Sequence, residues 1–208
     1  MYQLLLDSAN KLLVVAFAKD GDVVDKTIYE AWQRQSEMMV PEIDNIMERN
    51  GVLKEDLNAV VVGIGPGSYT GIRIGLTIAK TMTYMLKIPM YVVSSLSIFK
   101  DEKEPTICVL NARSGRSYIG VYQGDKVLLN DQVLENDKAL EYIKSHPTYL
   151  VSGESEHLGI KPIEFDITKN LAKAYKEKNK VKDIFRINPV YLKDLYKWLS
   201  MDLQKKVI

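Results

Sequence analysis

Apolar and polar residues alternate in three short runs at the start of the chain. The apolar runs cover residues 2–7, 12–18 and 23–29, and short polar links separate them. The second link contains Asp20 and Gly21, a pair that favours a tight hairpin turn between β-branched runs. The pattern therefore predicts an antiparallel meander of three strands.

Residues 33–50 change to a helical spacing. Their apolar side chains recur at intervals of three and four residues, and Gly51 follows as a typical helix stop. Ser36 is a candidate cap near the start of this helix. Pro41 marks either the first turn of the helix or a kink inside it.

The order of elements repeats after residues 100–105, a charged segment that lacks apolar residues and ends in proline. Three apolar runs again precede helices and further strands, so the chain is predicted to be an α/β protein of two similar lobes, residues 1–101 and 102–208. The other predicted elements are strands at 58–64, 90–93, 106–110, 117–122, 126–133 and 149–152 and helices at 70–86, 137–145, 168–178 and 194–205.

Composition narrows the functional classes. The chain has 208 residues, 46% of them hydrophobic and 26% charged, which is ordinary for a soluble globular protein. A net charge of +1 gives no overall positive field for tight nucleic-acid binding. Cys108 is the only cysteine, lies in an apolar run and is expected to be a buried hydrophobe. No apolar run approaches the roughly 20 residues of a membrane helix, and the first residues do not resemble a signal peptide, so a cytoplasmic location is expected.

The segment from 63 to 75 is rich in glycine and joins a predicted strand to a helix. A phosphate-binding P-loop would need lysine and then serine or threonine after its last glycine, whereas Ile72 and Arg73 follow Gly71. The dinucleotide pattern G-x-G-x-x-G also fails from either possible start. The glycines are therefore interpreted as structural, allowing a tight turn and a close approach, and Ser68 or Thr70 can cap the helix.

The helix at 70–86 carries two apolar stripes instead of one. One apolar stripe consists of Ile72, Leu76, Ala79 and Leu86, and the other consists of Ile74, Ile78, Met82 and Met85. A helix that is apolar on several sides is buried on several sides, and a sheet can cover only one of them. Either a partner covers the second side, or this helix and the helix at 33–50 bury each other.

Residues 65–75, which read Gly-Pro-Gly-Ser-Tyr-Thr-Gly-Ile-Arg-Ile-Gly, resemble the signature of the TsaB family. Weaker matches occur in the right order over almost the whole chain. The resemblance implies an actin-like fold of two lobes without its own catalysis. It also implies a homodimer when alone, and pairing with a TsaD-like catalytic subunit and a TsaE-like ATPase, which together transfer threonylcarbamoyl to a tRNA adenosine beside the anticodon.

Pattern and resemblance together assign candidate residues. The predicted partner interface consists of Gln35, Met39, Ile43, Met47, Tyr69, Arg73, Ile74, Ile78 and Met82. The glycines expected to shape it are Gly65, Gly67, Gly71 and Gly75. A vestigial nucleotide cleft is expected at Asp7, Ser8 and Asn111. Two candidate residues depart from the family pattern: many members have histidine at the position of Gln35, and aspartate is common at the position of Asn111. Because Asn111 is not an acid, the pair of acids that would hold a metal ion, one in each lobe, is incomplete.

The alternative functional classes are an actin-like ATPase, a metallopeptidase and an RNA-binding module. An actin-like ATPase would need two phosphate loops, and a metallopeptidase would need clustered ligands, whereas His146 and His157 stand apart in loop-like contexts. The lysines within 169–182 could touch tRNA phosphates, but acids among them favour a solvated surface. No catalytic residue, metal or cofactor, no serine or cysteine paired with histidine, and no direct contact with tRNA or membrane is expected.

Overall fold

The computed structural model describes residues 1–31 and 33–193, and its first sheet contains the predicted meander. The strands of this sheet are β1 (Tyr2–Asp7), β2 (Leu12–Lys19), β3 (Asp22–Glu30), β4 (Leu57–Gly63) and β5 (Met90–Val93). Their spatial order is β3-β2-β1-β4-β5. The β1–β2 and β2–β3 pairs are antiparallel, whereas β1–β4 and β4–β5 are parallel. The meander is therefore confirmed, and the sheet is mixed.

A second sheet repeats this arrangement with one strand fewer. Its strands are β6 (Thr106–Arg113), β7 (Arg116–Gln123), β8 (Lys126–Glu135) and β9 (Leu150–Gly153). Their order is β8-β7-β6-β9, with two antiparallel pairs and a parallel β6–β9 pair. The prediction of two similar α/β lobes, each a mixed sheet with flanking helices in the actin-like arrangement, is confirmed.

Four α-helices accompany the sheets within the described residues. They are α1 (Gln35–Arg49), α2 (Tyr69–Leu86), α3 (Asn136–Ser145) and α4 (Ile167–Lys173). Pro41 lies inside α1 and not in its first turn, and Arg34 takes the capping position predicted for Ser36. The helix predicted at 168–178 ends early, because Asn179 Nδ2 donates to the Ala174 carbonyl oxygen at 2.8 Å and a short 3₁₀ turn follows. The helix predicted at 194–205 lies outside the described residues.

The first sheet is covered on both faces. Leu4 and Leu6 of β1 pack in one cluster with α1 and α2, whereas Leu5 points to the other face and joins α4 and the second sheet. This alternation follows from the two-residue period of a strand. The cluster around Leu5 also contains Cys108, which is fully buried as predicted. Burial raises the pKa of its thiol.

The helix α4 comes from the second half of the chain but packs on the first sheet. The two sheets therefore share one core layer, and the lobes are not separate in packing. The boundary between residues 101 and 102 falls between the two sheets in sequence and stays a prediction.

Candidate functional site

The turn between β1 and β2 is held by three hydrogen bonds to the chain's own helices. Ser8 Oγ donates to the Gly71 carbonyl oxygen at 2.8 Å, and the Ser68 amide donates to the Ala9 carbonyl oxygen at 2.6 Å. Gln35 Nε2 of α1 donates to the carbonyl oxygen of Asn10 at 3.2 Å. This turn is therefore fixed between the start of α1 and the start of α2.

Glycines in the loop before α2 allow this approach. A Cβ atom on Gly71 would overlap the carbonyl oxygen of Ser8, and one on Gly67 would overlap that of Ala9. The four glycines that were predicted to shape a partner interface, Gly65, Gly67, Gly71 and Gly75, lie close to the chain's own atoms, and their effect on an interface stays a prediction. Ser68 caps α2 as predicted, since its Oγ accepts from the Gly71 amide at 3.3 Å.

Asp7 lies directly beneath this turn and is fully buried. Its carboxylate accepts a hydrogen bond from Ser95 Oγ at 2.6 Å and one from the Ala9 amide at 3.0 Å. Desolvation by burial raises the pKa of Asp7 to about 6, although both hydrogen bonds oppose the rise. The backbone of Gly63 leaves room for this carboxylate, because a Cβ there would overlap it.

A cleft of about 960 Å³ lies between the lobes, and we call it the first cleft. Asn111 lines it, but Asp7 and Ser8 do not, because both are buried beside the turn. The predicted vestigial nucleotide cleft is therefore corrected: the structure does not bring Asp7 and Ser8 together with Asn111 at one open site. Asn111 Oδ1 accepts from the Arg113 amide at 2.8 Å, and the Asn111 amide donates to Glu154 Oε2 at 3.0 Å.

The inner face of α1 is buried within the chain. Met39 is 0% exposed, and Ile43 and Met47 are 2% and 3% exposed, because they pack on the first sheet with residues such as Leu13 and Phe17. The interface prediction is therefore corrected for Met39, Ile43, Met47 and Gln35. Their side chains support α1 from below and are not available to a partner.

The outer face of α2 is open. Tyr69 and Arg73 are exposed, Arg73 Nη1 donates to Tyr69 Oη at 2.7 Å, and the Tyr69 ring stacks on Tyr191 at 4.7 Å. Further along the helix, Ile74, Ile78 and Met82 are half-buried against the core cluster that contains Leu4 and Leu6. The part of each side chain that remains open lies on the same helical stripe.

An exposed apolar group that the predicted interface omitted lies at the end of the same helix. Tyr84, Met85 and Phe185 are 59%, 70% and 73% exposed, and the Tyr84 and Phe185 rings meet edge to face at 5.5 Å. Met85 belongs to the stripe that helical spacing predicted, three residues after Met82, but the predicted interface did not include it. Phe185 is in an irregular segment, where no periodicity could have placed it beside α2. We call these three residues with Ile74, Ile78 and Met82 the α2 patch.

The two histidines are each partnered. His146 lies between the rings of Tyr142 and Tyr149. His157 Nε2 lies 2.7 Å from Ser117 Oγ, and its Nδ1 lies 2.5 Å from the Glu154 carbonyl oxygen. The expectation that no serine has a histidine partner is therefore wrong. Ser117 is nonetheless 0% exposed, so its hydroxyl is closed to a substrate in this conformation.

Residues 1–31 and 33–193 contain neither a cluster of metal ligands nor a membrane-spanning helix. No group of three or more His, Cys, Asp or Glu side chains in this range is placed to hold a metal ion. No helix in the same range is both long and apolar enough to cross a membrane.

A family model described as TsaD, tRNA N6-adenosine threonylcarbamoyltransferase, matches residues 29–177. A tRNA threonylcarbamoyladenosine biosynthesis protein TsaB from Bacillus subtilis is 34% identical over 133 residues, 61% of this chain and 57% of the relative. The TsaB protein of Escherichia coli is 32% identical over 130 residues, 59% of this chain and 55% of the relative. The chain thus matches little more than half the length of these curated relatives.

A solved structure, described as YeaZ from Pseudomonas aeruginosa, has the same fold. It superimposes with a TM-score of 0.74 at 20% sequence identity and covers 92% of this chain and 99% of its own. At this identity the likeness shows the fold alone.

Proposed function

The chain belongs to the family of the tRNA N6-adenosine threonylcarbamoyltransferase model, and on that premise we propose that it is a TsaB-type, non-catalytic scaffold subunit. It serves threonylcarbamoyl transfer to the tRNA adenosine next to the anticodon. It acts by binding and activating a TsaD-like catalytic subunit, together with a TsaE-like ATPase. Alone, it forms a homodimer through the surface that binds the catalytic subunit.

The filled turn after β1 supports a role without catalysis by this chain. In an actin-like ATPase, this turn must stay open to phosphate and its acid must face a metal ion. Here the backbone of α2 lies against Ser8, and the carboxylate of Asp7 is closed off by Ser95 and Ala9. A group without access to the cleft cannot contribute to catalysis there.

The α2 patch is the observation that carries the partner-binding proposal. It combines the stripe of Ile74, Ile78, Met82 and Met85 on α2 with the ring pair of Tyr84 and Phe185, and its most open members, Met85 and Phe185, expose more than two thirds of their surface. Large exposed apolar patches on soluble proteins mark interaction sites or aggregation liabilities. Methionine and aromatic side chains suit an adaptable interface of this kind. Tyr69 and Arg73 supply polar groups at the other end of the same helix.

The test is the solution mass of the purified chain, alone and mixed with its cognate TsaD-like subunit, by light scattering during size exclusion. We expect a dimer alone and a one-to-one complex in the mixture, because one face serves both partners. A monomer that does not associate with the catalytic subunit would overturn the proposal. ATP hydrolysis by the isolated chain, lost on substitution of Asn111 in the first cleft, would instead identify it as an enzyme.

A further inference from the structure

A second cleft of about 730 Å³ lies between the lobes and shares no lining residue with the first cleft or with the α2 patch. Its walls come from the end of β5, from the β7–β8 hairpin and from the segment that contains α4 and the 3₁₀ turn after it. Its volume is in the range of small-molecule sites, which hold roughly 300–1,000 Å³. No step in the proposed scaffold function uses it.

Three lysines, Lys100, Lys176 and Lys178, make one wall of this cleft positively charged. Lys176 Nζ pairs with Asp125 Oδ2 at 2.5 Å, whereas Lys100 Nζ reaches the same carboxylate only at 3.9 Å. Lys178 also lines the cleft and has no ion pair within 4.0 Å among the described residues. One carboxylate therefore faces three ammonium groups, and at least one positive charge is left without a close counterion.

Lys100 is the least solvated of these cations. Its side chain is 17% exposed, against 57% for Asp125. Burial lowers the pKa of Lys100; the charge of Asp125 opposes this change, and the charges of Lys176 and Lys178 add to it. An anion bound between the three ammonium groups would relieve this repulsion. Lys173 and Glu102 also line the cleft but pair with each other, so they add no net charge.

The opposite part of the cleft is built around a hydrogen-bonded carboxylate. Asp131 accepts from Ser94 Oγ at 2.5 Å and from Tyr122 Oη. Burial raises the pKa of Asp131, although both hydroxyl groups oppose the rise. Each carboxylate oxygen can accept a second hydrogen bond, so Asp131 can still receive a hydroxyl group from a ligand.

We propose that the second cleft binds a small phosphomonoester that carries free hydroxyl groups, with its phosphate at Lys100, Lys176 and Lys178 and its hydroxyl groups at Asp131. The charge of the lysine wall selects an anion, and charge-assisted hydrogen bonds make phosphate the better match. The acceptor at the other end selects a hydroxyl-bearing body over a bare ion. The site is separate from the α2 patch, so it does not depend on the scaffold proposal.

The experiment is calorimetric titration of the full chain with ribose 5-phosphate and, in parallel, with inorganic phosphate. We expect saturable one-to-one binding of ribose 5-phosphate. Lys100→Met and Lys178→Gln should each weaken it by about tenfold, the usual loss for a hydrogen bond to a charged group. Lys144→Gln, an exposed lysine on α3 away from the cleft, should leave it unchanged. Asp131→Asn should weaken the binding of ribose 5-phosphate more than the binding of inorganic phosphate.

Several results would overturn the proposal. One is a lack of saturable binding, and another is unchanged binding in Lys178→Gln, an exposed position where misfolding is not expected. If Asp131→Asn weakens the binding of both ligands equally, Asp131 does not bind a hydroxyl group of the ligand. An RNA hairpin that binds through Lys178, while ribose 5-phosphate does not bind, would replace the small ligand with an RNA backbone.

Discussion

Ser8 Oγ and the Gly71 carbonyl oxygen lie 2.8 Å apart, so the turn after β1 and the first turn of α2 form one unit. This contact requires that α2 present bare backbone to the turn. The glycines of the 65–75 segment meet that requirement, which explains a glycine-rich loop that lacks the lysine of a phosphate-binding loop.

Gly71→Ala should destabilise the protein by about 3 kcal/mol, because the added methyl group overlaps the Ser8 carbonyl oxygen and forces the backbone to shift. Urea unfolding followed by circular dichroism measures this loss. Gly21→Ala is the matched control: Gly21 has a positive φ of 95° but nothing within 4 Å of the new Cβ, so it isolates backbone strain. It should cost only about 1 kcal/mol. Equal losses in the two variants would contradict the close-approach account.

Asp7 predicts a specific pH dependence of stability. Its pKa in the folded protein is about 6, against 3.8 for a solvent-exposed aspartate in the unfolded chain, so the folded state holds the proton more tightly. The stabilising contribution of protonated Asp7 is fully present below pH 3.8 and is lost as the pH rises through about 6. The loss is on the order of 3 kcal/mol, since each pKa unit is worth about 1.4 kcal/mol.

Asp7→Asn tests this dependence, because an amide cannot ionise and can still accept from the Ala9 amide. Chemical unfolding between pH 4 and 7 should show that the variant lacks the decline in unfolding free energy found in the parent. Asp44→Asn, at an exposed ion pair with Lys54, should keep the decline. A parent whose stability does not fall over this range would show that Asp7 is not the titrating group.

The hydrophobic pattern identified strands and helices well but could not say what covers each face. The spacing of Met39, Ile43 and Met47 correctly places them on one side of α1, yet the same spacing suits a partner or the chain's own sheet. The structure chooses the sheet, since β1, β2 and β4 supply the apolar surface beneath α1. Pattern within one helix contains no information about that distant pairing.

Contacts between distant segments were missed for the same reason. Ser117 and His157 are 40 residues apart and meet only because β7 and the 3₁₀ turn after β9 lie together in the second lobe. Asp7 likewise owes its burial to Ser95, which is 88 residues away. Neither relationship has a local signal, whereas the repeated order of strands did predict the two lobes.

Met39→Ala distinguishes a role of Met39 in the stability of the chain from a direct contact with a partner. Met39 is fully buried, so its truncation should cost about 3 kcal/mol of unfolding free energy by leaving a cavity. The affinity of the variant for the TsaD-like subunit should stay within about twofold of that of the parent at a temperature where both are folded, because a fully buried side chain offers no surface to a partner. Thermal unfolding and calorimetric titration of the same samples give the two quantities. A large loss of affinity without a loss of stability would return Met39 to the interface.

Met85→Asp gives the sharpest test of the α2 patch. Met85 is 70% exposed in the chain, so aspartate there should leave the unfolding free energy within about 0.5 kcal/mol of the parent. In a homodimer or a complex with the catalytic subunit, the same carboxylate would be buried without a partner charge. We therefore expect association to weaken by at least about 2 kcal/mol, or roughly thirtyfold in the dissociation constant.

Val127→Asp is the matched control for this variant, since Val127 is 55% exposed on β8 in the other lobe. It should change neither stability nor association. Ile78→Asp is the weaker test, because Ile78 is half-buried against the chain's own core and its substitution would disturb folding as well. If Met85→Asp associates like the parent while Val127→Asp does not, the partner surface lies on the second lobe and the α2 patch is left exposed in the complex.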